Sequence, residues 1–172
     1  MTLALEGIRV LDLSRLLPGP YCSMLLADLG AEVIKIEEPN LGDPTRWTPP
    51  HLKDTGMVFL NLNRNKKSLT LNLKHPQGVE VFHQLAQCAD VILEGFRPGV
   101  VERLGIGYSV ISNINPRIVY CSLTGYGQDG PYRDRSGHDV NYLSLAGALG
   151  LTTDERGRPV IPGVQIADLS GA

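Results

Sequence analysis

The sequence predicts an α/β fold, an open and mostly parallel sheet with helices on both faces. Three observations carry this. Residues 8–37 run strand, Gly/Pro-rich turn, helix, glycine, strand; that order is a βαβ unit, whose two strands are parallel and whose crossover is right-handed. Further short apolar strands at 68–73, 90–94 and 117–123 alternate with helical stretches, the rhythm of a sheet wound with helices. A chain of 172 residues, 42% of them hydrophobic, is long enough for one domain with an ordinary core.

The elements follow in order. Ile8 to Leu13 reads as the first strand, broken by Leu17-Pro18-Gly19-Pro20. Tyr21 to Leu29 has apolar residues at helical spacing (Met24, Leu25, Leu29), and Gly30 stops it. Glu32 to Glu37 is the second strand. Residues 39–55 are rich in Pro, Gly and Asp and read as a long surface loop carrying the single tryptophan, Trp47. Ser68 to Leu73 alternates as a strand. Pro76 sits at a helix start, followed by the apolar stripe Val79, Phe82, Leu85, Ala86. Asp90 to Glu94 is the next strand, and its loop leads through short helical pieces to Asn115-Pro116. Arg117 to Leu123 is the last strand. A Gly-rich polar loop spans 124–137, residues 138–150 look helical, and 159–167 read as loop or extended chain.

Composition excludes several classes. A net charge of −2 leaves no basic footprint for nucleic acid or an anionic membrane surface. No apolar run reaches the roughly 18 residues of a membrane span, and the N-terminus lacks the pattern of a signal peptide. The three cysteines, Cys22, Cys88 and Cys121, have no metal-ligand spacing; scattered and odd in number, they fit packed thiols in a reducing, cytoplasmic setting. No metal site is apparent. The first strand–helix turn is not GxGxxG, so no nicotinamide or flavin is expected.

The chemistry concentrates in Gly137-His138-Asp139-Val140-Asn141-Tyr142 and in Asp168 of Ala167-Asp168-Leu169-Ser170-Gly171. Imidazole and carboxylate are the side chains most used to move protons near neutral pH. Their separation of 30 residues suits two loops converging on one pocket. Spacing alone favours plainer uses: His138 as a helix cap or packed side chain, Asp168 as an N-cap, Tyr142 as a core aromatic as readily as a ligand contact. Gly171 would leave backbone N–H donors near Asp168 for a developing oxyanion. Arg64, Lys66, Lys67, Lys74, Arg97 and Arg103 are candidate phosphate partners, with a solvated surface charge as the ordinary alternative for each.

Leu5 to Leu13, Pro18-Gly19-Pro20, Leu29 to Glu37, Gly42-Asp43-Pro44-Thr45-Arg46, Asn65-Lys66-Lys67-Ser68, Asp90 to Glu94, Asn115-Pro116-Arg117 and Gly125-Tyr126-Gly127 resemble, in order, the class III CoA-transferase family. The Gly-His-Asp-x-Asn-Tyr segment is similar to its α-methylacyl-CoA racemase branch. The resemblance implies a Rossmann-like large-domain portion over residues 1–172, with the family's small domain and C-terminal segment absent, and an interlocked homodimer in the full-length family. It implies interconversion of (R)- and (S)-2-methylacyl-CoA thioesters by 1,1-proton transfer, with His138 and Asp168 on opposite faces of the α-carbon. The alternatives are a CoA transferase with Asp168 as nucleophile and a truncated chain that binds coenzyme A without turnover. Coenzyme A enters as part of the substrate, and no further cofactor is required. By the same resemblance Leu16, Leu17, Leu71, Lys74, Phe96 and Arg103 line the adenine and phosphate site, and Arg97 and Tyr142 join them as candidate contacts. Glu38 stands where some transferases carry an arginine.

Overall fold

The computed structural model describes residues 2–172. The main sheet contains β1 (Arg9–Asp12), β2 (Glu32–Glu37), β5 (Lys66–Thr70), β6 (Val91–Glu94) and β7 (Val119–Ser122). Its order is β5-β2-β1-β6-β7, and every pairing is parallel. The order therefore reverses between β1 and β6. A separate two-residue hairpin, β3 (His51–Leu52) with β4 (Thr55–Gly56), is antiparallel.

Alternation along the strands feeds two cores. Val10 and Val33 point to α1 (Pro18–Asp28) and pack with Ala27 and Ala31. Leu11, Ile36 and Ile92 point to the opposite face, where α3 (Pro76–Gln87) supplies Phe82 and Ala86 and α5 (Tyr108–Ile114) supplies Ile111. Between them α4 (Val100–Arg103) adds Val101. Helices on both faces are thus present, because the central strands β1, β2 and β6 bury both of their sides, while the edge strands β5 and β7 stay partly exposed. The stripe expected on α3 faces this core, with Val79 and Leu85 at its margin.

Helix α1 departs from expectation. It buries Gly19, Pro20, Ser23, Met24 and Ala27, while Leu25 and Leu29 stay 42% and 49% exposed. Small residues let the helix lie close to the sheet. A Cβ on Gly19 would overlap the side chain of Ser14, so the first turn of α1 closes onto the end of β1 only because Gly19 has none.

Two further expectations change. The stretch 39–55 is partly ordered, with a 3-10 turn at Pro44–Arg46 and the small hairpin, and α2 (Met57–Leu62) follows. The cysteines are free, but Cys88 and Cys121 are exposed and Cys22 is half-buried, so packed thiols are not the rule here. After β7 the chain forms α6 (Asp139–Leu145), a 3-10 turn at Ala148–Leu151 and α7 (Ile166–Ser170).

Candidate functional site

In an open parallel sheet, ligands settle outside the carboxyl ends of the strands where the order reverses. Here that crevice lies between the loops after β1 and β6. The loop after β1 carries Arg15, Leu16 and Leu17. Leu16 has φ 69° and is 47% exposed; the left-handed region is unusual for a bulky side chain and persists where surroundings enforce it. Across the crevice Phe96 is half-buried, its N–H donating to Glu94 Oε2 at 2.7 Å, and the Arg15 guanidinium lies 5.4 Å from its ring centre. Leu17 caps α1 from its backbone. Arg97 and Arg103 are exposed nearby in sequence, on the β6 loop and on α4. At the end of β5, Leu71 donates its N–H to Glu37 O at 2.8 Å and packs against the core, while Lys74 is exposed. Leu16, Leu17, Leu71 and Phe96 therefore lie on the segments that leave β1, β5 and β6 at the carboxyl edge of the sheet, with Lys74, Arg97 and Arg103 further along those segments and Tyr142 beyond β7.

The floor beneath that edge is ionic and buried. Asp12, at the end of β1, accepts from Ser23 Oγ at 2.6 Å, Ser14 N–H at 2.9 Å and Lys66 Nζ at 3.2 Å. Lys66 Nζ also donates to Pro20 O, Ser23 Oγ and Asn63 Oδ1 at 2.7–2.9 Å. Burial pulls the Lys66 ammonium down to about 8, against the attraction of Asp12. Lys35 donates to Ser14 O at 2.9 Å and sits 3.0 Å from Asp43 Oδ2, an ion pair rather than an aligned hydrogen bond, with both side chains 1% exposed or less. Burial alone would push the Glu37 carboxyl up, but Arg46, Ser68 and the Asp43 N–H overcome it and hold Glu37 at about 2. Arg46 completes this clamp, its guanidinium 3.7 Å from the Phe59 ring centre.

This floor corrects the sequence reading of three basic residues. Lys66 is saturated by protein acceptors and faces no ligand space. Arg64 pairs with Asp28, and Lys67 with Glu32. Lys74, Arg97 and Arg103 form no salt bridge among the described residues and keep free valences. Glu38 is used locally: it accepts the N–H groups of Asn40, Leu41 and Gly42. The buried pairs were missed because a lysine in a strand reads as a surface charge. The sequence hints only at Lys35, two residues after Val33 and so on its strand face; Lys66 precedes the strand read at 68–73, whereas β5 begins at Lys66 itself.

Beyond β7 lies the second wall. His138 precedes α6, is exposed, and donates its backbone N–H to Asn141 Oδ1 at 2.9 Å. Its cap role is thus carried by Asn141 as much as by the histidine. Asp168 lies in the first turn of α7 and is half-buried, and its carboxylate accepts no hydrogen bond among the described residues. Burial raises the Asp168 carboxyl, the Asp139 charge raises it further, and His138 lowers it. Helices α6 and α7 pack on each other, so the segments carrying the imidazole and the carboxylate that the sequence singled out adjoin.

The residue that joins them is Asp139, only 8% exposed. Its Oδ1 accepts from the N–H of Ala167 at 2.6 Å and of Asp168 at 3.1 Å. Asp139, not Asp168, caps α7. Gly171 is corrected as well: its N–H donates to Ala167 O at 2.9 Å and closes α7, so it offers no oxyanion donor. Tyr142 is committed to the wall, with Oη donating to Gly137 O at 2.7 Å and the ring edge-on to Tyr126 at 5.1 Å. Burial raises its hydroxyl. Its place in a ligand contact is weakened accordingly.

Comparison with known proteins identifies the family. The model of "CoA-transferase family III" matches residues 5–172. The chain is 48% identical over 167 residues to succinyl-CoA:glutarate CoA-transferase of Mus musculus, covering 96% of this chain and 38% of that protein. It is 46% identical over 169 residues to formyl-CoA:oxalate CoA-transferase of Streptomyces avermitilis, covering 98% and 41%. A solved CAIB/BAIF family protein from Brucella suis superposes with a TM-score of 0.92 at 37% identity, over 98% of this chain and 46% of that one. The chain spans about two-fifths of the length of these curated relatives. Both are named as CoA-transferases and neither as a racemase. The racemase branch expected from the motif rested on His138 and its neighbours, a short segment against a resemblance that runs the length of the chain.

Proposed function

Because the chain belongs to CoA-transferase family III, we propose that it is part of an acyl-CoA:carboxylate CoA-transferase with Asp168 as nucleophile. The observation that carries the reading is the 48% identity to a succinyl-CoA:glutarate CoA-transferase across 96% of the chain. The acceptor class is a small carboxylate, of the kind that the relatives' names give as glutarate or oxalate. The Rossmann-like large-domain role and the homodimer belong to the same proposal.

The chemistry follows from the site. The Asp168 carboxylate attacks the thioester carbonyl, a C–O bond forms, the C–S bond breaks, and coenzyme A leaves as the thiolate. The product is a mixed anhydride between Asp168 and the acyl group. The thiolate attacks its aspartyl carbonyl and expels the donor carboxylate. The acceptor carboxylate attacks the resulting aspartyl-CoA thioester to give a second anhydride and free thiolate. The thiolate then attacks the acceptor carbonyl, giving the new acyl-CoA and restoring the Asp168 carboxylate. A carboxylate nucleophile is strengthened by a raised pKa and by the lack of hydrogen bonds to its oxygens, and Asp168 has both. Coenzyme A lies along the crevice, its apolar part against Leu16, Leu17, Leu71 and Phe96 and its phosphates toward Lys74, Arg97 and Arg103. These cations keep their donors free for phosphate oxygens.

Full-length protein incubated with acyl-CoA and hydroxylamine should yield a hydroxamate at Asp168, found by mass spectrometry, and Asp168→Asn should yield none. A second reading, 1,1-proton transfer on 2-methylacyl-CoA, is favoured by one observation: His138 stands at the start of α6 directly before Asp139, whose carboxylate holds the first turn of the helix that carries Asp168. Absence of the hydroxamate together with His138-dependent exchange of the α-proton in D₂O would replace the transferase reading by this one.

A further inference from the structure

The Asp168 carboxylate sits at the start of α7, where free backbone N–H groups normally gather and where a carboxylate normally accepts them. It accepts none among the described residues. The donors of Ala167 and Asp168 go instead to Asp139, 28 and 29 residues earlier in the chain, at 2.6 and 3.1 Å. Asp139 is buried in the first turn of α6, directly after His138. Building on the assignment of Asp168 as nucleophile, we propose that Asp139 is its positioning residue: it takes the amide donors of α7 and sets a second negative charge beside Asp168, which keeps the Asp168 carboxylate unsolvated by the backbone and reactive.

The geometry explains why both groups are needed. With Asp139 in place, α7 is pinned to α6, and the Asp168 side chain cannot fold back onto its own helix terminus without displacing a closer acceptor. Hydrogen bonds to a carboxylate stabilise its charge and weaken it as a nucleophile. Without Asp139 those amides become available to Asp168 itself. The groups facing Asp168 from the elements packed on α7 are few. Helix α6 offers His138, Asp139 and the Tyr142 hydroxyl. Helix α1, which also touches α7, carries Tyr21 and Cys22, and its one charged side chain, Asp28, is paired with Arg64. Asp139 is thus the anion that acts on Asp168.

Two variants of the full-length protein separate the parts of this role. Asp139→Asn keeps an acceptor oxygen for the amides and loses the charge; Asp139→Ala loses both. Turnover needs Asp168 ionised, so the acid limb of the kcat–pH profile reports its titration. Asp139→Asn should shift that limb to lower pH and lower kcat by about tenfold. Asp139→Ala should lower kcat by about 100-fold or more, with KM for the acyl-CoA changed less than threefold in both, as expected for a group that acts on the reacting carboxylate. If the alanine variant folds poorly, the asparagine variant decides alone. An acid limb that stays in place in Asp139→Asn overturns the proposal, as does an alanine variant within threefold of wild-type kcat. Wild-type hydroxamate at Asp168 is measured first, so a failure of the nucleophile assignment is seen separately.

Discussion

Two regions of the molecule carry most of its functional-looking side chains and use them in opposite ways. Under β1, β2 and β5, Asp12, Lys35, Glu37, Asp43, Arg46 and Lys66 form a buried lattice in which nearly every donor meets an acceptor. Beyond β7, His138 and Arg135 are exposed, and the Asp168 carboxylate lacks a donor. The same residue types are therefore spent on structure in one place and left open in the other. Charge alone does not mark a site. Unused hydrogen-bonding capacity, held in a fixed position, does.

The comparison breaks most clearly on stability. Lys35→Ala leaves Asp43 as a buried charge whose cation is gone. Removing one partner of a buried pair costs about 3–5 kcal/mol, so chemical denaturation should show a loss of that size. Arg135→Ala, on the open wall, stacks only on Tyr132 and should stay within about 0.5 kcal/mol of wild type. Equal effects at the two positions would remove the distinction.

A smaller effect appears with pH. The Lys66 ammonium is held at about 8 against a usual 10.5. Below about 8 it is charged in the folded and unfolded states alike. Between 8 and 10.5 the unfolded chain binds a proton that the folded one does not, so stability attributable to Lys66 rises with pH and is lost again as pH falls through 8. Compared with Lys66→Met, wild type should gain about 3 kcal/mol across that window. Thermal or urea unfolding of both proteins at pH 7.5 and 10.5 checks the sign; a constant difference means that Lys66 titrates normally.

The same contrast shows what the sequence makes legible. Strand β2 lies where the sequence places it, Glu32–Glu37, because Gly30 and the Pro39 turn bound a short segment rich in β-branched residues, Val33, Ile34 and Ile36. The stripe of α3 is equally local. The segment 39–55 reads as loop because its order comes from distant partners: Arg46 on Glu37 and over Phe59, Asp43 on Lys35. In the site, His138 and Asp168 stand out by residue type and motif. Asp139 stands in the same motif, beside His138 where it can orient the loop, but its hold on α7 is not legible there, since its partners are backbone amides far along the chain. Nor does sequence distinguish Lys66 from Arg97; only burial and a filled set of acceptors show that one is structural and the other free.

The smallest expected effect tests whether the open wall is held as firmly as the buried floor. Tyr142 fits between Gly125 and Gly137, and a Cβ on Gly125 would overlap its ring. Gly125 lies on an exposed loop, so the loop can give way where a core could not, and Gly125→Ala should cost about 1–2 kcal/mol in stability. Turnover should suffer more than folding, because Tyr142 is anchored to Gly137, the residue before His138, and shares α6 with Asp139. A shift of the ring moves the first turn of that helix and, through Asp139, the start of α7. The expected result is a kcat lowered about tenfold with KM for the acyl-CoA nearly unchanged, since the crevice between the β1 and β6 loops lies on other elements. A rise in KM with kcat intact would instead place Tyr142 against the bound thioester, the second of the two uses the sequence leaves open for it.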